Sequence, residues 1–240
     1  MINKVLKKIR FIFLEKKPAP VPYKTSFSQS GEDVIIEYLF GLRKVTLPSF
    51  IDIGGYDPVH GNNTYKFYLK GSTGVNIDAD PIAIDKFNQV RINDININIG
   101  IGSTKAVLPF YILEESSLNT FSESELKELL QSGQKLKNTL HIPVMLINEI
   151  LEKYFHDKAC DFLSVDAEGV DFDIMKSMDF KKYTPKVICI ESINYTPDGT
   201  GTKRLDLCIF IESKGYYEYA NTNINSIFVN RNWWFNRIES

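Results

Sequence analysis

The sequence has few cysteines, no long apolar run and little net charge, and each shortage excludes a class of protein. Cys160, Cys189 and Cys208 stand in apolar runs, which predicts buried free thiols in a reducing, cytoplasmic compartment rather than a disulfide framework. No apolar stretch approaches the roughly 18 residues of a membrane-spanning helix. The formal net charge of -2 provides no basic field to attract nucleic acid, so we expect no nucleic-acid partner.

The first residues differ in character from the rest. Residues 1–17 combine several lysines and Arg10 with one acid, and their apolar residues recur at helical spacing. This pattern predicts either a weak hold on the anionic inner face of a membrane or a leader that frays or packs on the domain. Three prolines follow within residues 18–22. We therefore expect a leader and stiff linker over residues 1–25 and one domain over residues 26–240.

The order of the elements predicts the fold class. Short apolar strands alternate with helical segments through the first half of the chain, which is typical of an α/β protein with a parallel sheet covered by helices on both faces. Two strands near residues 216–219 and 226–229 are joined by a short turn. The sequence therefore predicts a mostly parallel sheet of about seven strands with an antiparallel hairpin at one edge.

A glycine pair follows the first predicted strand. Asp52-Ile53-Gly54-Gly55-Tyr56 permits a tight turn and a close approach of the backbone to a ligand. It does not continue as G-x-G-x-x-G, because Tyr56-Asp57-Pro58 stands where later glycines are needed. A pyrophosphate cradle is disfavoured, and with it a nicotinamide-dependent oxidoreductase. A nucleoside without phosphates fits better.

The next strand also ends in an acid. Asp78 follows Gly74-Val75-Asn76-Ile77 and is placed to accept hydrogen bonds from both hydroxyls of a ribose, with Ala79 beside it. Asp80-Pro81 is a typical helix start, in which the acid caps the helix. We assign Asp78 to a ligand and Asp80 to the cap.

A second acidic group ends two later strands. Asp166 and Glu168 follow the strand 161–165, and Glu191 ends the strand after it. Carboxylates there are suited to act as a general base, to ligate a divalent cation (Asp166 with Glu191), or to hold an amino group. His60, in the loop after the glycine pair, is a further candidate base.

Other segments are candidates for the periphery of the site. Ser30 and Asp33 have the spacing of a capping box, and Gln29 and Asp33 could fold over the ligand. The loops 116–121 and 197–201 are polar and suit the acceptor side. Trp233, Trp234 and Phe235 are suited to stack on a sugar or to bury a contact in a homodimer.

Together these motifs resemble the FkbM-type methyltransferases. The resemblance rests on four segments and on Ser28-Gln29-Ser30-Gly31-Glu32-Asp33, which is similar to an SQ-x-GED segment in one branch of that family; it covers residues 26 to 230. The four segments are Phe50–Gly55, Asn76–Pro81, Ser164–Gly169 and Ile190-Glu191.

The resemblance implies a Rossmann-like class I methyltransferase fold and O-methylation with S-adenosylmethionine (SAM) as donor. The expected acceptor is a hydroxyl of a glycan, nucleotide-sugar or related small molecule. Asp52, Gly54 and Gly55 match the donor loop, Asp78 matches the ribose acid, and Asp166, Glu168 and Glu191 match the acidic strand ends. The family offers no single fixed base to carry over. A non-catalytic SAM-binding module is the other alternative.

Overall fold

The computed structural model of the protein describes residues 23–156, 158–167, 169–193 and 200–236. A short 3-10 helix spans Ser116–Leu118. The strands are β1 (Phe50–Ile53), β2 (Gly74–Asp78), β3 (Ile95–Asn98), β4 (Gly100–Gly102), β5 (Ala106–Leu113), β6 (Leu136–Leu146), β7 (Phe162–Val165), β8 (Val187–Glu191), β9 (Tyr216–Asn221) and β10 (Asn225–Asn230). The helices are α1 (Glu32–Leu42), α2 (Tyr65–Leu69), α3 (Pro81–Val90), α4 (Glu123–Gln131), α5 (Ile147–Phe155), α6 (Asp171–Ser177), α7 (Leu205–Ser213) and α8 (Arg231–Phe235).

Seven of these strands form the central sheet, in the order β3-β2-β1-β7-β8-β10-β9. The pairs from β3 to β8 are parallel, and β10 pairs antiparallel with both β8 and β9. The prediction of a mostly parallel seven-stranded sheet with an antiparallel edge hairpin is confirmed.

The inner strands form because their side chains can be buried on both faces. Every residue of β1 and β7 is buried, and so is β8 as far as Ile190, as expected for a parallel sheet covered by helices. One apolar cluster packs under α5, α6 and α7, and another packs under α1 and α2. The sheet therefore holds its strand ends in fixed register.

The helix starts were predicted with mixed success. The Asp80 side chain accepts a hydrogen bond from the Ile82 backbone, and Pro81 is the first helical residue of α3, so the predicted cap is confirmed. The predicted capping box at Ser30 is wrong. The N-cap of α1 is Gly31, with a φ of 91°, and the Asp33 N–H of the first turn donates to the Ser28 hydroxyl at 3.2 Å instead of to Ser30.

Residues 95–101, which alternate like one strand, are divided between two sheets. Ile95–Asn98 joins the central sheet as β3, and Gly100–Gly102 starts a second sheet of order β4-β6-β5. The long β5 and β6 pair antiparallel along this second sheet. The turn between β3 and β4 therefore places the second sheet beside the end of the first.

The predicted leader, residues 1–17, and most of the linker lie outside the described residues, so the domain boundary at residue 26 stays a prediction. All three cysteines are buried and free, as predicted. Among the helices that the structure describes, none has the length and apolarity that crossing a bilayer requires.

Arg91, at the end of α3, is fully buried and ties several elements together. Its guanidinium donates to the Asp94 carboxylate at 2.8 Å, to the Pro58 carbonyl at 3.2 Å, and to Asn62 and Thr64 at 3.3 and 3.1 Å. It also lies 4.6 Å from the centre of the Tyr68 ring. This one side chain therefore joins α3, the β2–β3 connection, the loop after β1 and α2.

Gly54, just after β1, packs against the backbone of Asp166, just after β7. A Cβ atom at this position would lie 1.6 Å from the Asp166 carbonyl oxygen, and the φ of 76° is in the left-handed region. Backbone hydrogen bonds from Gly54 to Ile77 and from Asp166 to Ile53, both 2.9 Å, hold the three strand ends together. A side chain at position 54 would have to push these strand ends apart.

We expect the Gly54→Ala variant to be less stable than Gly133→Ala. Gly133 has a similar φ, 97°, but open space around its Cβ position. Both substitutions incur a left-handed penalty of about 1–2 kcal/mol, and Gly54→Ala adds an overpacking cost of about 1–3 kcal/mol or more. Urea denaturation of both variants measures the difference. Equal losses would show that the strand ends tolerate a methyl group.

We expect the Arg91→Met variant to lose about 3–5 kcal/mol of unfolding free energy, because Asp94 and Asp52 would stay buried without a cation. Lys127→Met is the matched control, since its ion pair with Glu123 lies in solvent and should contribute little. Denaturation midpoints of the two variants give the test. Similar midpoints would contradict the central role of Arg91.

Candidate functional site

The acids that the sequence singled out lie at one edge of the central sheet. Ile53 lies opposite Ile77 and Val165, and Val165 lies opposite Ile190. The residues that follow these positions, Gly54, Asp78, Asp166 and Glu191, therefore share the carboxyl edge of the sheet. Open α/β sheets bind ligands at this edge.

A cavity of about 420 Å³ opens at this edge, within the usual size range of small-molecule sites. Its wall includes most of the predicted site residues, namely Gln29, Gly54, Gly55, Tyr56, His60, Asp78, Ala79 and Asp166. We call it the first cavity.

Gly54 and Gly55 form one wall of the first cavity. Besides the clash of a Cβ at Gly54, a Cβ at Gly55 would lie 2.8 Å from the Phe87 ring and 3.2 Å from the Asp52 carboxylate. The chain can pass between these groups because neither residue has a side chain. The backbone is thus exposed to the cavity without a Cβ in the way.

The Asp78 carboxylate is positioned by two backbone groups. One oxygen accepts from the Tyr56 N–H at 2.9 Å, and the other accepts from the Asp80 N–H at 2.8 Å. A carboxylate has about four acceptor sites, so each oxygen keeps a lone pair for a ligand. The pKa of Asp78 is raised to about 6: burial is the largest cause, the two backbone hydrogen bonds oppose it, and the nearby Asp80 and Asp52 add to it.

Asp52 and Asp33 lie outside the wall of the first cavity. Asp52 is buried beneath the glycine loop, where it accepts from Asn62 at 2.9 Å and Thr64 at 3.0 Å. Burial raises its pKa, and Arg91 opposes that shift. Asp33 is fully buried and accepts from Ser26, the Phe27 backbone and Ser28. Both acids therefore hold loops that border the cavity, rather than facing a ligand themselves.

Gln29 reaches the cavity because of this anchoring. The segment 26–28 is fixed by Asp33, and it also pairs with the loop after β1, where Ser28 bridges Gly61 and the Asn62 N–H donates to the Phe27 carbonyl. Gln29 and the exposed His60 then stand on the wall of the first cavity.

Asp166 borders the first cavity, and Glu191 borders a second one. Within the described residues the half-buried Asp166 carboxylate accepts no hydrogen bond. Burial, followed by repulsion from Asp171 and Asp52, raises its pKa. Burial, followed by repulsion from Asp166 and Asp171, raises the pKa of Glu191 as well. Glu168, the other predicted acid, lies outside the described residues.

The second cavity, of about 850 Å³, lies beyond the ends of β7 and β8 and is largely polar. Lys203 in its wall is paired with Glu218 on β9. Most of the predicted acceptor loop 197–201 lies outside the described residues, which omit 194–199. The polar lining consists of Ser122, Ser124, Glu125, Glu128, Ser132, Gln134, Glu191, Lys203, Arg204 and Asp206.

The loop 116–121, predicted on the acceptor side, contributes to the wall of the first cavity. Ser116, Ser117, Asn119, Thr120 and Phe121 belong to its wall. Asn119 donates to Asp80 at 3.1 Å and accepts from the Leu113 N–H at 2.8 Å, so the second sheet is fastened to the start of α3. These two hydrogen bonds hold the loop 116–121 on the side of β2.

Sequence reasoning missed two features of the site. The first is the apolar part of the first cavity's wall, which consists of Ile99, Ile101, Phe110 and Phe121. It was missed because nothing in the strand pattern indicates that β4 leaves the central sheet. The second is Arg91. Its spacing to Asp94, three residues on, was the one available signal.

Within the residues that the structure describes, no group of three or more His, Cys, Asp or Glu side chains is placed to hold a metal ion. Asp166 and Glu191 therefore do not complete a coordination sphere among these residues, and a cation between them stays a prediction.

Three solved structures that this chain resembles have a sequence identity to it of 11 to 14%, and two of them are methyltransferases by name. Methyltransferase FkbM from Methylobacillus flagellatus is 14% identical (TM-score 0.45, covering 77% of this chain and 44% of its own). TehB from Haemophilus influenzae is 11% identical (TM-score 0.43, 85% and 63%). A TehB-like SAM-dependent methyltransferase from Corynebacterium glutamicum is 11% identical (TM-score 0.42, 83% and 87%).

The chain thus spans less than half of the first of these proteins and under two thirds of the second. Comparison with curated proteins gives no significant match. A sequence profile described as "Methyltransferase FkbM domain" matches residues 52–217, which include the end of β1, the glycine loop and the acidic strand ends. Because this match covers well over half of the chain, the protein belongs to the FkbM methyltransferase family.

Proposed function

We propose that this protein transfers the methyl group of SAM to a hydroxyl of a glycan, nucleotide-sugar or related small molecule. The observation that carries the proposal is Asp78, which lies at the end of β2 beside the Gly54-Gly55 turn with a free lone pair on each oxygen. Family membership supports the same donor.

The residues of the first cavity fit such a donor. A ribose has two hydroxyls for Asp78, the glycine turn admits the amino-acid end, and Ile99, Ile101, Phe110 and Phe121 provide an apolar slot for a flat base. The described wall contains Asp78, Asp80 and Asp166 but no lysine or arginine. That charge disfavours a dinucleotide pyrophosphate, which is the ligand of the alternative oxidoreductase.

The bound donor supplies an electrophilic methyl group, and the protein's task is to position the acceptor and remove one proton. Asp166 is our candidate base. It borders the first cavity, no hydrogen bond within the described residues occupies its carboxylate, and its raised pKa makes it a stronger base than an exposed aspartate. His60 and Glu168 are the other candidates.

The second cavity is our candidate for the acceptor site. Glu191 in its wall comes directly after Ile190, which lies opposite Val165, just before Asp166. Its carboxylates, serines and Gln134 suit a molecule with many hydroxyls. A divalent cation between Asp166 and Glu191 would need further ligands from Glu168, water or the acceptor. A non-catalytic SAM-binding module would lack turnover with every acceptor.

We expect S-adenosylhomocysteine, the product of SAM, to stabilise the protein selectively, with NAD as control. At about 100 times its Kd a ligand adds roughly 2.7 kcal/mol, which raises Tm by about 5–10 °C at this size.

The affinity for S-adenosylhomocysteine should also depend on pH. Ribose hydroxyls favour the ionised Asp78, so affinity should fall as pH drops through about 6, the pKa of Asp78. Asp78→Asn should be weaker and lack that pH dependence. A shift with NAD alone would refute the proposal.

We expect Asp166→Asn to lower turnover by about 10²–10⁴-fold while S-adenosylhomocysteine still binds. Transfer of a radiolabelled methyl group to a panel of sugars measures it. Because the pKa of Asp166 is raised in the folded protein, ionisation of this carboxyl destabilises the fold as pH rises through that pKa. Asn cannot ionise, so the variant should not melt below the wild type at pH 8. Asp173→Asn, on the exposed face of α6, is the matched control. Unchanged turnover in Asp166→Asn would assign the base to His60 or Glu168.

A further inference from the structure

Tyr56 stands between the first cavity and solvent. Its side chain belongs to the cavity wall, yet 40% of the residue is exposed. The phenol oxygen lies 3.1 Å from the Ser116 hydroxyl, on the 3-10 helix between β5 and α4. This hydrogen bond therefore joins the glycine loop after β1 to the segment between β5 and α4, across the mouth of the cavity.

The backbone of Tyr56 is held in an unusual conformation. Its φ is 48°, in the left-handed region that bulky side chains rarely adopt. The Tyr56 N–H donates to Asp78, and the Lys86 ammonium lies 5.6 Å from the centre of the ring. Strain of this kind persists where the surroundings fix the residue, often at ligand clamps. In Tyr56 this fixed backbone sets the direction in which the aromatic ring projects from the glycine loop.

The Ser116 side of the mouth is also anchored. Asn119 ties the same segment to Asp80 and to the Leu113 backbone. Tyr111 and Thr120 exchange two backbone hydrogen bonds, of 2.9 and 3.2 Å, which close the base of this loop. The two sides of the mouth are therefore both anchored at Asp78–Asp80 below the rim, and the Tyr56–Ser116 hydrogen bond connects them directly at the rim.

We propose that Tyr56 and Ser116 form a latch over the first cavity, which must open each time the donor or its product passes. This inference rests on the proposed function, because it assumes that the ligand is a SAM-type nucleoside. A neutral hydrogen bond shifts an equilibrium by about two- to tenfold. The latch is therefore strong enough to slow exchange and weak enough to open without unfolding. Tyr56 is a positioning residue in this scheme.

The test uses the full chain immobilised for surface plasmon resonance, with S-adenosylhomocysteine as the probe. Tyr56→Phe and Ser116→Ala each remove one half of the hydrogen bond, and the double variant removes both. Tyr38→Phe is the matched control, since Tyr38 is an exposed tyrosine of α1 outside the described cavity walls. Association and dissociation rates are measured for all five proteins.

We expect both rates to rise about two- to tenfold in each single variant, with Kd changed less than twofold, and the double variant to match the single ones. A latch changes the rates together, whereas a lost ligand contact or a damaged fold raises dissociation and weakens Kd. Unchanged rates, a rise in dissociation alone, or additive effects in the double variant would overturn the latch. If the wild type does not bind S-adenosylhomocysteine, the proposed function fails, and the latch fails with it.

Discussion

The burial of Arg91 is the constraint on which the glycine-loop side of the first cavity depends. A guanidinium with no exposed surface needs partners for its hydrogen bonds and its charge. Its partners come from the β2–β3 connection, the loop after β1 and α2. Asp94 then passes the same anchoring to β2 through the Gly74 N–H and the Asn76 amide. The glycine turn, Tyr56 and Asp78 are positioned because the loop beneath them is tied to this one cation.

The acidic strand ends give the site a negative field with little nearby compensation. Asp52, Asp78, Asp166, Asp171 and Glu191 all have pKa values raised above the ordinary range, with burial as the main cause. Buried acids of one sign keep protons until a positive group replaces them. A ligand with a sulfonium and an ammonium, as in the proposed donor, would offset that repulsion, whereas a phosphate would add to it.

The parts of the fold that could be predicted are those that depend on local pattern. The apolar strands, the Asp80 cap and the acids at the strand ends follow from spacing along the chain, and the parallel order follows from the alternation of elements. Residues 95–101 show the limit, because alternation of apolar residues is the same whether a strand stays in one sheet or crosses to another. For the same reason the wall formed by Phe110 and Phe121 had no sequence signal.

The site residues show the same division. The sequence correctly predicted that acids at strand ends lie at the edge of the sheet. Whether such an acid faces a ligand depends on the groups that surround it in the folded protein. Asp78 lies on the wall of the first cavity, whereas Asp52 and Asp33 lie behind it and accept hydrogen bonds from neighbouring loops. Sequence separation does not distinguish these cases, because Asn62 and Thr64 reach Asp52 through the turn of the loop, which depends on Arg91.

The sheet order has a consequence for how the molecule folds. The half of the sheet from β1 to β3, with Arg91, is built from one continuous stretch of chain, so its contacts close short loops. The strand ends that carry Asp166 and Glu191 are not. Ser49, just before β1, is hydrogen-bonded to Asp161, just before β7, across 112 residues, and β8 pairs with β10 from further along the chain. Because short loops close at lower entropic cost, the half from β1 to β3 is expected to assemble first and to act as the template on which these acids are later aligned.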